Sequence, residues 1–151
     1  MSQERIRMGV KRHLLLSKAY KASIYRFFEN ISELEIDITF DEWMILGPIW
    51  NLEGASQKEC GEITTKDKTA VTRIINSLEE KNLVVRVLDQ IDKRIKRIVL
   101  TRKGQKLIDD ILPIIEKTRS QMNDNINEDE LKTLDIVLKK LIDNHERLTK
   151  S

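Results

Sequence analysis

The chain has 151 residues, 34% of them charged and 40% hydrophobic, with 5 Gly and 2 Pro, which excludes a collagen-like or low-complexity chain and fits a helix-rich domain or two small lobes. The net charge of +2 comes from mixed rather than massed signs, so a disordered tail is not expected, and no apolar run reaches the length of a membrane span. One cysteine, Cys60, excludes an internal disulfide framework and suits a reducing cytoplasm.

The N-terminal stretch is charged, and no signal-peptide hydrophobic region follows it. From Val10 to Leu34 the pattern is helical, and its apolar residues cover more than one stripe. A helix that is apolar on two sides in so short a chain faces a core and a partner subunit. Thr39 and Glu42 have capping-box spacing at the start of the next helix. That helix carries Trp43, Met44, Ile49 and Trp50, and Pro48 inside it predicts a kink or break. Trp43 and Trp50, seven apart, share a side; core packing is expected for both, and lining a ligand pocket is the alternative.

Glu53 to Ala55 reads as a turn, and Ser56 with Glu59 as a second capping box. The short helix it opens runs to about Ile63, with Cys60 and Ile63 expected inward and Gly61 permitting a close approach. Thr64-Thr65-Lys66 links it tightly to a helix over 67–82. There Ala70, Val71, Ile74, Ile75 and Leu78 form one face at helical spacing. Lys68, Thr69, Thr72, Arg73 and Asn76 fall on the other, with no carboxylate before Glu79. Asp67 suits the N-cap, and Asn82 suits a left-handed stop. A front of Lys, Thr, Arg and Asn is what a major groove accepts: Arg bonds guanine, Asn bonds adenine, and a Thr methyl packs on thymine. The same pattern alone also describes an ordinary solvated helix face. Two short helices with a tight link, the second with such a face, make a helix-turn-helix.

Leu83–Leu88 and Ile95–Leu100 read as a β-hairpin with a polar tip. Lys93, Arg94, Lys96 and Arg97 cluster at its tip and second strand. Alone they could be a solvated strand edge; after a helix-turn-helix they read as a wing gripping phosphates or the minor groove. Charge supports this: residues 56–106 hold 13 Lys/Arg against 7 Asp/Glu, net +6, while the rest of the chain is net −4. Thr101 caps a helix running toward Met122, with Leu107, Ile108, Ile111, Leu112, Ile115 and Met122 inward and a bend at Pro113. Asn127 and Glu130 open a last helix through Leu148.

Several short matches then line up in order: Thr39–Trp43, Ala55–Glu59, Asp67–Glu79 with Val71-Thr72-Arg73, Leu83-Val84 and Arg86, Asp92-Lys93-Arg94, and Leu100-Thr101-Arg102-Lys103-Gly104. In that order and spacing the chain resembles the MarR family of winged-helix transcription regulators over nearly its whole length. The resemblance implies a mainly α fold with a small β-hairpin wing, an α+β winged helix-turn-helix. It implies one domain over 1–151, with a DNA-binding lobe at 39–104 and a helical dimerisation lobe from 1–38 and 105–151. It further implies a homodimer on double-stranded DNA and a small aromatic or anionic effector bound between the lobes. Lys68, Thr69, Thr72, Arg73 and Asn76 would face the groove, Arg94 would be the wing-tip residue, and Asp92 would orient the wing. The family usually has Gly where Asn82 stands. Its oxidation-sensing members carry their cysteine on the first helix, unlike Cys60, which is read as a small core residue with a sensing thiol as the alternative.

The expected function is a cytoplasmic, sequence-specific regulator, a repressor released by an effector, on a pseudo-palindromic operator. Tyr20, Trp43, Met44 and Trp50 are the candidates for the effector pocket wall. No cofactor, metal or membrane partner is expected, and neither is catalysis: the two histidines, His13 and His145, lack metal-ligand spacing, and Cys60 has no adjacent activating group. The alternative is a winged helix that binds another protein, which the fold alone permits.

Overall fold

A computed structural model describes residues 3–149. Residues 1–2 and 150–151, the ends of the segments expected to form the dimerisation lobe, lie outside the described residues. The elements in order are α1 (Gln3–Ile31), a 3-10 turn (Ser32–Leu34), α2 (Phe40–Asn51), β1 (Ala55–Ser56), α3 (Gln57–Thr64), α4 (Lys68–Glu80), β2 (Val84–Leu88), β3 (Lys96–Leu100), α5 (Arg102–Met122) and α6 (Glu128–Thr149). This is the mainly helical winged fold expected. The chain divides into two compact units, Met1–Thr118 and Arg119–Ser151.

In the first unit, the capping boxes start α2 and α3 as their spacing predicts. Thr39 and Ser56 each accept from the N–H three residues on, and Glu42 and Glu59 each accept from the cap residue's own N–H. The strands form one antiparallel sheet in the order β1-β3-β2, with Ala55 opposite Ile98 and Val84 opposite Leu100. The turn expected at Glu53–Ala55 is therefore shorter, and Ala55 already belongs to a third strand. Gly54, at φ +114°, makes that exit possible, since a Cβ there would stand 2.9 Å from a Val99 methyl.

The core joins Ile45, Leu46 and Ile49 of α2, Cys60 of α3, Val71, Ile74, Ile75 and Leu78 of α4, Ile98 of β3, and Ile108 and Ile111 of α5. Burial of each large side chain of this kind contributes about 1.5–3 kcal/mol. Gly104 meets a steric demand: a Cβ there would collide with the Leu83 carbonyl. That carbonyl also receives the Thr101 N–H at 3.0 Å, so α5 starts pressed against the end of α4.

Three expectations fail here for one reason, the narrowness of the buried stripe. Ile63 was expected inward but is 55% exposed, because Cys60 and Thr64, four apart, take the inward line of α3. Leu112 points out, because the buried line of α5 runs Gly104, Ile108, Ile111, Ile114 and Thr118. Trp50 is not core. Both tryptophans sit at the margin of the Glu42–Ile45–Leu46–Ile49 stripe; Trp43 is covered by the Phe27 ring, 5.1 Å between centroids, whereas Trp50 keeps 39% of its surface. Of the kink or break expected at Pro48 the break is absent, since α2 continues through it, and α5 likewise continues through Pro113, where a bend was expected.

Over most of its length α1 is exposed; Phe27, Asn30 and Ile31 are its buried residues. Asn30 donates to Thr118 of α5 at 2.9 Å, and Lys117 pairs with Glu33 at 2.9 Å, which fastens the C-terminal end of α1. In the second unit, α6 is capped by Asn127, whose side chain accepts from the N–H groups of Asp129 and Glu130, with Glu130 returning to the Asn127 N–H.

Candidate nucleic-acid interface

The presentation of α4 follows from how both ends are closed. Asp67 caps it by accepting from the Ala70 N–H at 2.9 Å. Thr65 ends α3 in the left-handed region at φ 55°, and Gly61 lies close under the link, where a Cβ would stand 3.1 Å from the Lys66 carbonyl. At the far end Asn82 takes φ 55°, as its place in the sequence predicts. With Val71, Ile74, Ile75 and Leu78 buried, Thr69, Arg73, Asn76 and Glu80 form the centre of the exposed front.

A buried carboxylate sets the tilt of this helix. Glu42 of α2 accepts from the Thr39 N–H at 2.8 Å, from Ser77 at 2.8 Å and from Lys81 at 2.9 Å. Burial alone would raise its pKa, but the bonds from Thr39, Lys81 and Ser77 together outweigh it and hold the carboxyl below its ordinary value. Lys81 is raised in turn: burial works against the ammonium, and the carboxylates of Glu42 and Asp37 prevail. A second tie, Lys66 to Asp41 at 2.7 Å, pins the helix-turn-helix link to α2.

The five predicted recognition residues divide. Lys68, Thr69 and Arg73 are exposed. Thr72 is half-buried: its hydroxyl donates to the Lys68 carbonyl at 2.7 Å and accepts from Gln57 of α3. Asn76 is exposed, but its Oδ1 accepts from Arg86 of β2 at 2.9 Å, and Arg86 also pairs with Glu79.

Four cations were predicted for the wing. Lys93 and Arg94 are exposed at the tip, and Lys96 is exposed at the start of β3. Arg97 is placed differently: its guanidinium donates to the Gly54 carbonyl at 2.9 Å and to Asp89 at 3.3 Å, so it fastens β3 to the turn before β1. Asp92 accepts from the Arg94 N–H at 3.0 Å, a local constraint on the tip. The larger constraint comes from Asp89, which sequence reasoning passed over. It accepts from the N–H groups of Ile91 and Asp92 at 2.8 and 2.9 Å, and these bonds hold its pKa below the ordinary value.

Between α3, the link to α4 and the wing lies a concavity of about 940 Å³. Lys58, Lys66, Lys68, Arg86, Arg94 and Lys96 line it against two carboxylates, Glu62 and Asp67. Lys66 is held by Asp41 and Arg86 by Glu79, so Lys58, Lys68, Arg94 and Lys96 are the cations of this trough that a polyanionic strand would meet first. Three of these residues, Lys58, Lys66 and Arg86, were not selected from the sequence. The +6 charge of 56–106 is the signal that covers them, but it does not say which of its cations converge.

The four candidate effector residues do not form one wall. An aromatic series runs from Tyr20 through Phe40, Phe28 and Phe27 to Trp43, with successive centroids 5.1–6.4 Å apart. Met44 is half-buried. Trp50 lies elsewhere, in a concavity with Gly54, Val99, Leu100 and Gln105. Cys60 is fully buried, and burial together with the Glu59 carboxylate pushes its thiol up to about 11, which agrees with a packing role. No helix among the described residues is long and apolar enough to cross a membrane.

A family model described as transcriptional regulator SarA/Rot matches residues 26–111. Among solved structures, the transcriptional regulator PA3341 is similar at 26% identity, covering 89% of this chain and 98% of that one, with a TM-score of 0.79. A cysteine-to-serine variant of MarR from E. coli, complexed with operator DNA, shares the fold at 23% identity, with 93% and 99% covered and a TM-score of 0.76. BpsR of Bordetella bronchiseptica, whose DNA binding is regulated by 6-hydroxynicotinic acid, shares it at 22% identity, with 87% and 92% covered and a TM-score of 0.74.

Proposed function

The chain belongs to the SarA/Rot family of transcriptional regulators and is a winged-helix DNA-binding protein of MarR type, and from that premise we propose that it represses transcription as a cytoplasmic homodimer on a pseudo-palindromic operator until a small molecule releases it. The observation that carries the reading is the trough between α3, α4 and the wing, where six cations converge beside the polar front of α4. A phosphate strand fits the trough while Thr69, Arg73 and Asn76 reach base edges. Arg94 at the free wing tip would reach the adjacent backbone or minor groove.

The dimer is supported by α1, which leaves Ile6, Val10, Leu14, Leu15 and Tyr20 at least half exposed. An apolar surface of this length on one helix suits burial against a second copy. Two recognition helices related by a two-fold axis would then meet half-sites about 10 bp apart, over an operator of about 16–20 bp. The effector proposed is small and aromatic or anionic, with the Tyr20–Trp43 aromatic series as its most suitable apolar surface.

The test is selection from a random duplex library at near-physiological salt, followed by titration of the selected duplex at several salt concentrations. The expected result is a two-fold symmetric motif and an affinity that falls steeply with salt as counterions are released. Binding that is asymmetric, or insensitive to salt, would overturn the proposal.

A further inference from the structure

The contact between Asn76 and Arg86 bears on which base the helix reads. Asn76 stands at the centre of the exposed front of α4, one turn from Arg73. A free asparagine reads adenine with both ends of its amide, donating to N7 and accepting from the N6 amino group. Here the amide is not free. Arg86 reaches from β2, half-buried and held by Glu79, and its Nη2 lies 2.9 Å from Asn76 Oδ1. A guanidinium carries donors only, so the amide atom that faces it must be the oxygen. The nitrogen is thereby turned away from the guanidinium.

We infer that Arg86 is a positioning residue that sets base preference: by holding the Asn76 oxygen toward its guanidinium it presents Asn76 to DNA through the amide nitrogen, as a donor, selecting a base with acceptors alone on its major-groove edge. Guanine, with N7 and O6, fits first. Adenine offers a donor where this amide has another donor, and cytosine offers only a donor. The base is thus chosen partly by a residue of β2, outside α4. This inference rests on the DNA-binding reading above and deepens it.

A purely structural role for the Arg86–Glu79 pair, fastening β2 to α4, would alter stability or overall affinity but not the identity of one base. The experiment therefore reads base identity. The full chain and its Asn76→Ala, Arg86→Met and Arg86→Lys variants are each taken through the random-duplex selection, with thermal melting to check folding. Asn76→Ala locates the contacted pair as the one whose preference disappears in both half-sites. The wild type is expected to show guanine on the contacted strand there. Arg86→Met is expected to admit adenine at that pair, a change of about five- to tenfold in relative preference, with the rest of the motif kept. Arg86→Lys, still a pure donor, is expected to retain guanine.

Adenine at the located pair in the wild type overturns the inference without any Arg86 variant, so a poorly folding Arg86→Met would not shelter it. So does a folded Arg86→Met that keeps the guanine preference, or an Asn76→Ala that changes no pair. These results leave the regulator reading intact, whereas failure of the wild type to enrich any motif overturns both.

Discussion

Glu42 and Asp89 each gather three donors, and each fixes part of the DNA-binding surface, yet they do so over different distances. Glu42 is buried, and its partners Thr39, Ser77 and Lys81 lie 3, 35 and 39 residues away. Asp89 sits in the wing, and its partners Ile91, Asp92 and Arg97 all lie within 8 residues. One carboxylate therefore joins two helices across the core and fixes the angle at which α4 is presented. The other shapes a loop that the rest of the fold does not depend on. The same chemistry serves global stability in one place and local order in the other, according to burial and the length of chain that it closes.

The largest effect expected from this contrast is on folding. Glu42→Ala strands Ser77 and the Thr39 N–H and leaves Lys81 with Asp37 alone; with Lys81 partly open to solvent, the cost is about 2–3 kcal/mol, read as a lowered urea midpoint. Asp89→Ala should leave that midpoint nearly unchanged while weakening DNA binding. If the two variants unfolded equally easily, the distinction between anchor and loop would fail. Next in size is Arg73→Ala, on the exposed front of α4. Its melting temperature should match wild type, while discrimination at one base pair per half-site falls by about 1–3 kcal/mol in competition binding. Unchanged preference would remove Arg73 from the reading surface. Smaller again is Arg94→Ala, whose side chain is 95% exposed. It should lower affinity for all sequences and reduce the slope of log affinity against log salt by about 1. A loss confined to sequences with a narrow minor groove would instead assign Arg94 to groove width.

How much of this was legible depended on the reach of each interaction. Capping boxes are three-residue spacings, so those at Thr39, Ser56 and Asn127 could be read directly, as could the buried back of α4 from its period. Asn82 was legible because its backbone requirement is local. Ile63, Leu112 and Trp50 were misplaced because hydrophobicity marks a side of a helix, while burial depends on which neighbour covers it. The strand at Ala55–Ser56 is two residues long and exists only because β3 pairs with it; so short a strand has no period of its own. Within the site, the exposed Lys68, Thr69 and Arg73 were visible from the pattern. The engagement of Thr72 by Gln57, of Asn76 by Arg86 and of Arg97 by Gly54 was not, since each depends on packing between elements. A polar side chain on a helix front can be named from sequence, but whether its polar atoms remain free is decided by the neighbouring elements.

The smallest effect is a pH dependence, and it tests the anchor directly. The carboxyl of Glu42 lies below its ordinary value of 4.5 in the folded protein. A depressed carboxylate binds fewer protons folded than unfolded between the two values. Its contribution to stability is therefore complete above the unfolded value and is lost as pH falls through the folded one. Lys81 has the opposite sign: raised above 10.5, it contributes fully below that value and loses its contribution as pH rises through the folded one. Urea midpoints of wild type and Glu42→Gln, compared from pH 7 down to pH 3, should differ most at neutral pH and converge in acid, because both proteins then carry a neutral group at position 42. Glu59 is depressed as well, so wild type and variant should both lose stability in acid; only the narrowing of the gap reports Glu42. A gap that stayed constant to pH 3 would mean that the carboxylate's charge contributes nothing, and that the network holds α4 through shape and neutral hydrogen bonds alone.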